Sequence, residues 1–201
     1  MMGTLLIGCG LYKCSDGTFE CSLNSYPDIS HVMGLPPLNK LYAIMLTCYS
    51  CAKQAYARAY FQRLQPLVSP VTNYFLLGCA VVSIVFGPMI GFFDTYWDVQ
   101  IHVKVTALFT LGELFYVLTI ITVIDWNQAS FPQEQQLNIQ ALLLCRFIAV
   151  VLIVVSTGAG FINYDLGNYS HTIEWLAFNM LFVIYGVLSA TMKYNSVVTP
   201  Q

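Results

Sequence analysis

Apolar positions in this chain do not alternate with polar ones. They come in long runs separated by short polar turns. The runs occupy residues 38–59, 71–93, 103–124, 138–162 and 173–192. Each is close to the roughly 20 residues that a helix needs to cross the hydrocarbon core of a bilayer. In lipid a spanning segment must satisfy its own backbone amides, so runs of this length predict helices. The expected fold is all-α: a polytopic membrane helix bundle of about five transmembrane helices over residues 38–193. Before it lies an irregular N-terminal loop segment, residues 1–37, rich in glycine and containing Tyr26-Pro27-Asp28-Ile29-Ser30 and Pro36-Pro37; after it comes a short tail, 194–201.

The turn between the second and third runs concentrates polar chemistry. It reads Gly91-Phe-Phe-Asp94-Thr-Tyr-Trp97-Asp98 and leads through His102 into a run with Glu113 near its middle. A carboxylate at that depth must face protein or water, not lipid. Asp94 and Asp98 lie one turn apart, and a cap for the following helix is their simplest role. Gly87 and Gly91 flank Pro88-Met89-Ile90, a spacing that lets a neighbouring helix approach closely. Lys53, Arg58 and Arg63 read as the polar end of the first run, with Lys53 snorkelling toward the boundary.

Composition agrees with a membrane setting. The chain is 57% hydrophobic and 9% charged, against about 25% charged in an ordinary soluble domain. A formal net charge of −2 argues against a nucleic-acid partner. Basic residues clustered at 53–63 place the C-terminus inside and the N-terminus, with all three histidines, on the outer or lumenal side.

Several short motifs, in order, resemble the DRAM family, autophagy modulators with relatives in GPI-anchor remodelling and plasma-membrane lipid organisation. Tyr26-Pro-Asp-Ile-Ser30 followed by Pro36-Pro37 is similar to the family's stretch before its second span. Tyr56-Ala-Arg58 is similar to its Tyr-x-Arg. Asp94, His102, Ala107, Phe109, Gly112 and Tyr116 resemble its next span, and Arg146 and Glu174-Trp175 resemble features of its last two. The resemblance implies a fold and a lipid-related setting more than a reaction. Relatives usually have six spans, so the family's first span is absent here or reduced to residues 1–12.

The candidate residues for lipid or partner contact are Asp94, Asp98, His102, Glu113, Arg146, Glu174 and Trp175. Glu113 and Arg146, on adjacent runs, are expected to pair inside the bundle. Cys14 and Cys21 are the candidate disulfide among seven cysteines; Cys48 and Cys51 read as small packing residues. His31, His102 and His171 with nearby carboxylates offer zinc-ligand chemistry, but without ligand spacing, so no metal, catalytic residue or cofactor is expected beyond structural lipids. Three functions remain open: a non-catalytic accessory subunit packed among other membrane-protein subunits, in an energy-converting membrane such as the mitochondrial inner membrane; a free-standing DRAM-like modulator of lipid handling in an endomembrane or the plasma membrane; and a lipid hydrolase using the outer His/Asp cluster.

Overall fold

The computed structural model describes residues 12–18, 29–94, 96–131, 133, 136–162, 176 and 179–190, with side chains between 136 and 162 described as far as Val151. Most of the described residues are helical, with no strand among them. The helices are α1 (Ile29–Gly34), α2 (Leu38–Leu64), α3 (Pro70–Phe92), α4 (Val99–Trp126) and α5 (Gln136–Ile162), with a 3₁₀ turn at Gln128–Ser130 and a last helical stretch, α6, at Asn179–Ala190.

Four of the helix ends have a clear local cause. Pro66 follows the last turn of α2 and cannot continue a helix. Ser69 caps α3 by accepting from the Thr72 amide at 3.2 Å, with Pro70 in the first turn, where its missing N–H costs nothing. Asp98 caps α4 as expected, accepting from the Gln100 and Ile101 amides at 3.0 Å each. At the far end of α4 the Asn127 side chain donates to the Val123 carbonyl at 2.8 Å.

Residues 29–34 were expected as loop and form a helix. The reason is visible in the spacing of Ile29, Val32 and Met33, which are all buried. One turn of helix brings these three onto a single face, and that face packs on Tyr42, Leu46, Ile90, Val105 and Phe109.

α3 and α4 are long and apolar enough to cross a membrane. α2 is as long, but Lys40, Lys53, Arg58 and Arg63 interrupt it. The apolar stretches described in α5 and α6, Gln136–Val151 and Asn179–Ala190, are shorter. α3 packs broadly on both α2 and α4. Half of the most apolar stretch of α4 is buried, against 28% for α3, so α4 is the more deeply enclosed of the two.

The interior divides into two apolar clusters. One, toward the α3–α4 turn, contains Ile29, Val32, Met33, Leu46, Ile90 and Phe109. The other contains Ala57, Leu64, Leu76, Tyr116, Ile120, Ile124, Leu142 and Ile184. Between them each of α2, α3 and α4 contributes polar or small residues: Ser50 and Lys53, Ser83 and Gly87, Gly112 and Glu113. The small residues let the backbones close up. A Cβ on Gly112 would lie 3.0 Å from the Cys79 carbonyl oxygen, one on Gly87 would lie 3.0 Å from Ser50 Oγ, and one on Gly91 would lie 2.8 Å from Ala43 Cβ. The close approach expected of Gly87 and Gly91 is therefore present, and it is made against α2 and α4.

Candidate functional site

The buried face of α2 runs Tyr42, Leu46, Ser50, Lys53, Ala57, Tyr60 and Leu64, recurring every three or four residues. Lys53 is on this stripe, so helical geometry alone carries it into the bundle. Its side chain and that of Glu113 are each 1% exposed, and the two form an ion pair. Tyr185 of α6 completes the group. Its hydroxyl donates to the second Glu113 oxygen at 2.6 Å and accepts from Lys53 Nζ at 3.0 Å. The ammonium also lies 4.5 Å from the centre of the Tyr116 ring and 5.5 Å from that of Tyr185, within cation–π reach. Tyr49 packs edge-on against Tyr185, with centroids 6.2 Å apart.

Three helices are thus joined at one level by one cation, one anion and one phenol. An isolated charge here would be costly, and neither is isolated. A short distance along, the Tyr56 hydroxyl donates to Ser189 Oγ at 2.7 Å, a second polar tie between α2 and α6. Ser50 Oγ and the Tyr60 and Tyr116 hydroxyls are buried without a hydrogen-bond partner. They border the same polar layer.

This arrangement corrects two expectations. Lys53 does not snorkel; it is a buried residue near the middle of α2. Glu113 pairs with Lys53, not with Arg146. Arg146 instead bonds Asp125 Oδ2 at 3.1 Å, with Thr122 Oγ1 at 3.4 Å from its other terminal nitrogen. Asp125 lies twelve residues beyond Glu113 on α4, about 18 Å along a helix axis, so the arginine meets the end of α4 and the glutamate its centre. The Arg146–Asp125 side chains are 29% and 28% exposed, a more solvated pair. The requirement that Glu113 face protein is met.

The turn before α4 holds a second polar group. His102 is only 4% exposed. Its Nδ1 lies 2.6 Å from the Phe93 carbonyl oxygen and its Nε2 lies 2.9 Å from Ser30 Oγ on α1. A carbonyl can only accept, so Nδ1 carries a proton, and in the neutral ring Nε2 accepts from the serine hydroxyl. Thr106 Oγ1 is also near, at 3.4 Å. The imidazole thereby clamps α1 and the end of α3 onto the start of α4. Asp94 Oδ1 accepts from the Tyr96 and Trp97 amides at 3.0 Å each, and Oδ2 is 3.5 Å from Asn39 Nδ2.

The remaining candidates divide as follows. His31 is exposed on α1 and meets Tyr96 edge-on. His171, Glu174 and Trp175 lie outside the described residues. Cys14 is disulfide-bonded, while Cys21 lies outside the described residues, so their pairing stays an expectation. Cys48 and Cys51 are free thiols exposed on the outer face of α2. Among the described residues no three or more His, Cys, Asp or Glu side chains converge to hold a metal ion. Reasoning from sequence missed Lys53, Tyr185 and Ser30. The signal for Lys53 was its place in the 42-46-50-53-57-60-64 stripe; for Ser30 it was the Ile29-Val32-Met33 spacing. Nothing in the sequence singled out Tyr185 from the other tyrosines. Compared with protein-family models, curated proteins and solved structures, the chain has no match.

Proposed function

We propose that the chain is a non-catalytic multi-pass membrane protein of about five spans, acting as a structural accessory subunit whose outer helix faces pack against other membrane-protein subunits and lipid. The observation that carries the membrane placement is the pair of exposed tryptophans at the ends of α4. Trp97 is 67% and Trp126 82% exposed. The 28 residues of α4 extend about 42 Å, the thickness of a bilayer including its headgroup layers. Tryptophan favours both interfaces, and the helix between these two carries exposed Val103, Leu108, Leu111 and Phe115. The accessory role is supported by the use made of the polar groups. Lys53, Glu113, Arg146, Asp125 and His102 are all engaged in contacts between helices, while large apolar side chains on α2 to α5, among them Ile44, Phe75, Val85 and Phe147, face outward.

A second reading, the free-standing DRAM-like modulator of lipid handling, draws support from a different contact. Ser30 and His102, which belong to two separate stretches of that resemblance, are 72 residues apart in sequence and hydrogen-bonded in the fold. Gentle solubilisation followed by a native gel and identification of co-migrating chains separates the two. The accessory reading expects the protein in a large assembly at fixed stoichiometry. Migration as a monomer carrying only lipid overturns that reading and favours the modulator.

A further inference from the structure

An open groove of about 440 Å³ lies between the first turns of α2 and the last turn of α3. Ala43 and Gly91, which pack closely on each other, line it, and the Asn39–Asp94 contact borders it. Asn39, Lys40 and Asp94 form its polar end, and Ile44, Gly91 and Phe92 its apolar wall. Lys40 is exposed, and among the described residues it forms no ion pair with Asp94 or any other carboxylate. Asp94 has one oxygen occupied by two loop amides, while the other has only the 3.5 Å contact with Asn39, which leaves acceptor capacity toward the groove. One cavity therefore presents a free cation, an under-used carboxylate and a greasy wall leading away from both. Its polar end is level with Tyr96 and Trp97, which are exposed at 56% and 67%. Trp97 stacks on Phe93 at 5.0 Å, next to the groove's Phe92. In the membrane placement proposed above, on which this inference rests, that is the headgroup level.

We propose that this groove binds a phospholipid whose zwitterionic headgroup ends in a primary amine. The phosphate sits on Lys40, the ammonium donates to Asp94 Oδ2, and an acyl chain follows Ile44 and Phe92. A quaternary ammonium has no N–H to donate to the carboxylate, and an anionic glycerol headgroup has no cation for it. The groove therefore selects phosphatidylethanolamine over phosphatidylcholine and phosphatidylglycerol.

The test is native mass spectrometry of the full-length protein, purified in mild detergent and offered the three lipids in equal amount. The expected result is preferential retention of phosphatidylethanolamine by about tenfold, the effect of one charge-assisted hydrogen bond. Asp94→Asn keeps a carbonyl oxygen for the loop amides and should erase the preference over phosphatidylcholine. Lys40→Gln removes the phosphate contact that all three lipids share and Ile44→Trp blocks the acyl path, both at exposed positions, so each should lower retention of phosphatidylethanolamine severalfold. Equal retention of all three lipids, unchanged in Lys40→Gln and Ile44→Trp, overturns the groove while leaving the membrane placement intact. Release of the chain from membranes by alkaline carbonate without detergent overturns both.

Discussion

Removing Lys53 alone should be among the most damaging single substitutions available in this fold. Lys53→Met keeps the volume of the side chain and deletes its charge. Glu113, whose side chain is 1% exposed, is then left with the Tyr185 hydroxyl as its hydrogen-bond donor. Breaking a buried ion pair from one side costs about 3–5 kcal/mol. At 1.4 kcal/mol per decade that is about two to three and a half decades in the folded-to-unfolded ratio. Glu113→Leu strands the Lys53 ammonium against the Tyr185 oxygen and the Tyr116 ring and should cost a similar amount. The double variant Lys53→Met/Glu113→Leu removes both charges together. Its main defect is the unpaired Tyr185 hydroxyl, worth about 1–3 kcal/mol. The two singles sum to about 6–10 kcal/mol, so the double-mutant cycle should show a coupling of at least about 3 kcal/mol. Reversible unfolding in mixed detergent micelles, followed by tryptophan fluorescence and far-ultraviolet circular dichroism, measures all four corners. Additivity of the singles within about 0.5 kcal/mol would refute the pairing, as would a Lys53→Met loss below about 1 kcal/mol, the worth of a solvated pair.

The other ion pair supplies a contrast: Arg146→Leu, at a side chain 29% exposed, should cost only about 0.2–1 kcal/mol in the same unfolding assay. Gly91→Ala puts a Cβ against the Ala43 backbone and should lower stability by about 1–3 kcal/mol. Gly78→Ala, with nothing within 4 Å of the added carbon, should leave stability unchanged or raise it by about 0.5–1 kcal/mol; a larger loss at Gly78 than at Gly91 would contradict the packing described. His102→Ala takes the hydrogen-bond partner from Phe93 O and releases Ser30, so amide exchange across Ile29–Gly34 should accelerate while the centre of α4 stays protected. Uniform loss of protection would instead make His102 a global core residue.

Much of the helical framework was legible because membrane-length apolar runs and strong caps are local signals. The runs at 71–93 and 103–124 became α3 and α4 with ends shifted by a few residues, and Asp98 took its capping role from its position before an apolar helix. The first run was harder. Read along the chain, Lys53, Arg58 and Arg63 look like one polar end. Read around the helix they separate, with Lys53 on the buried stripe and the two arginines exposed. That separation depends on helical phase, which the bare presence of charge hides. The depth of Glu113 demands a partner, but choosing between Lys53 and Arg146 requires knowing their depths. Those depths follow from where α2 and α5 sit relative to α4, a tertiary fact that no spacing along the chain encodes. Tyr185 and Ser30 entered for the same reason, as neutral residues made important by what faces them.

We propose that α4 crosses a bilayer with Trp97 at one surface and Trp126 at the other. Labelling of sealed, uniformly oriented membrane vesicles with a membrane-impermeant maleimide tests it, using Tyr96→Cys at one end of α4 and Gln128→Cys at the other. One site is expected to react in intact vesicles and the other only after permeabilisation. Reaction of both sites from the same side of sealed vesicles would contradict it.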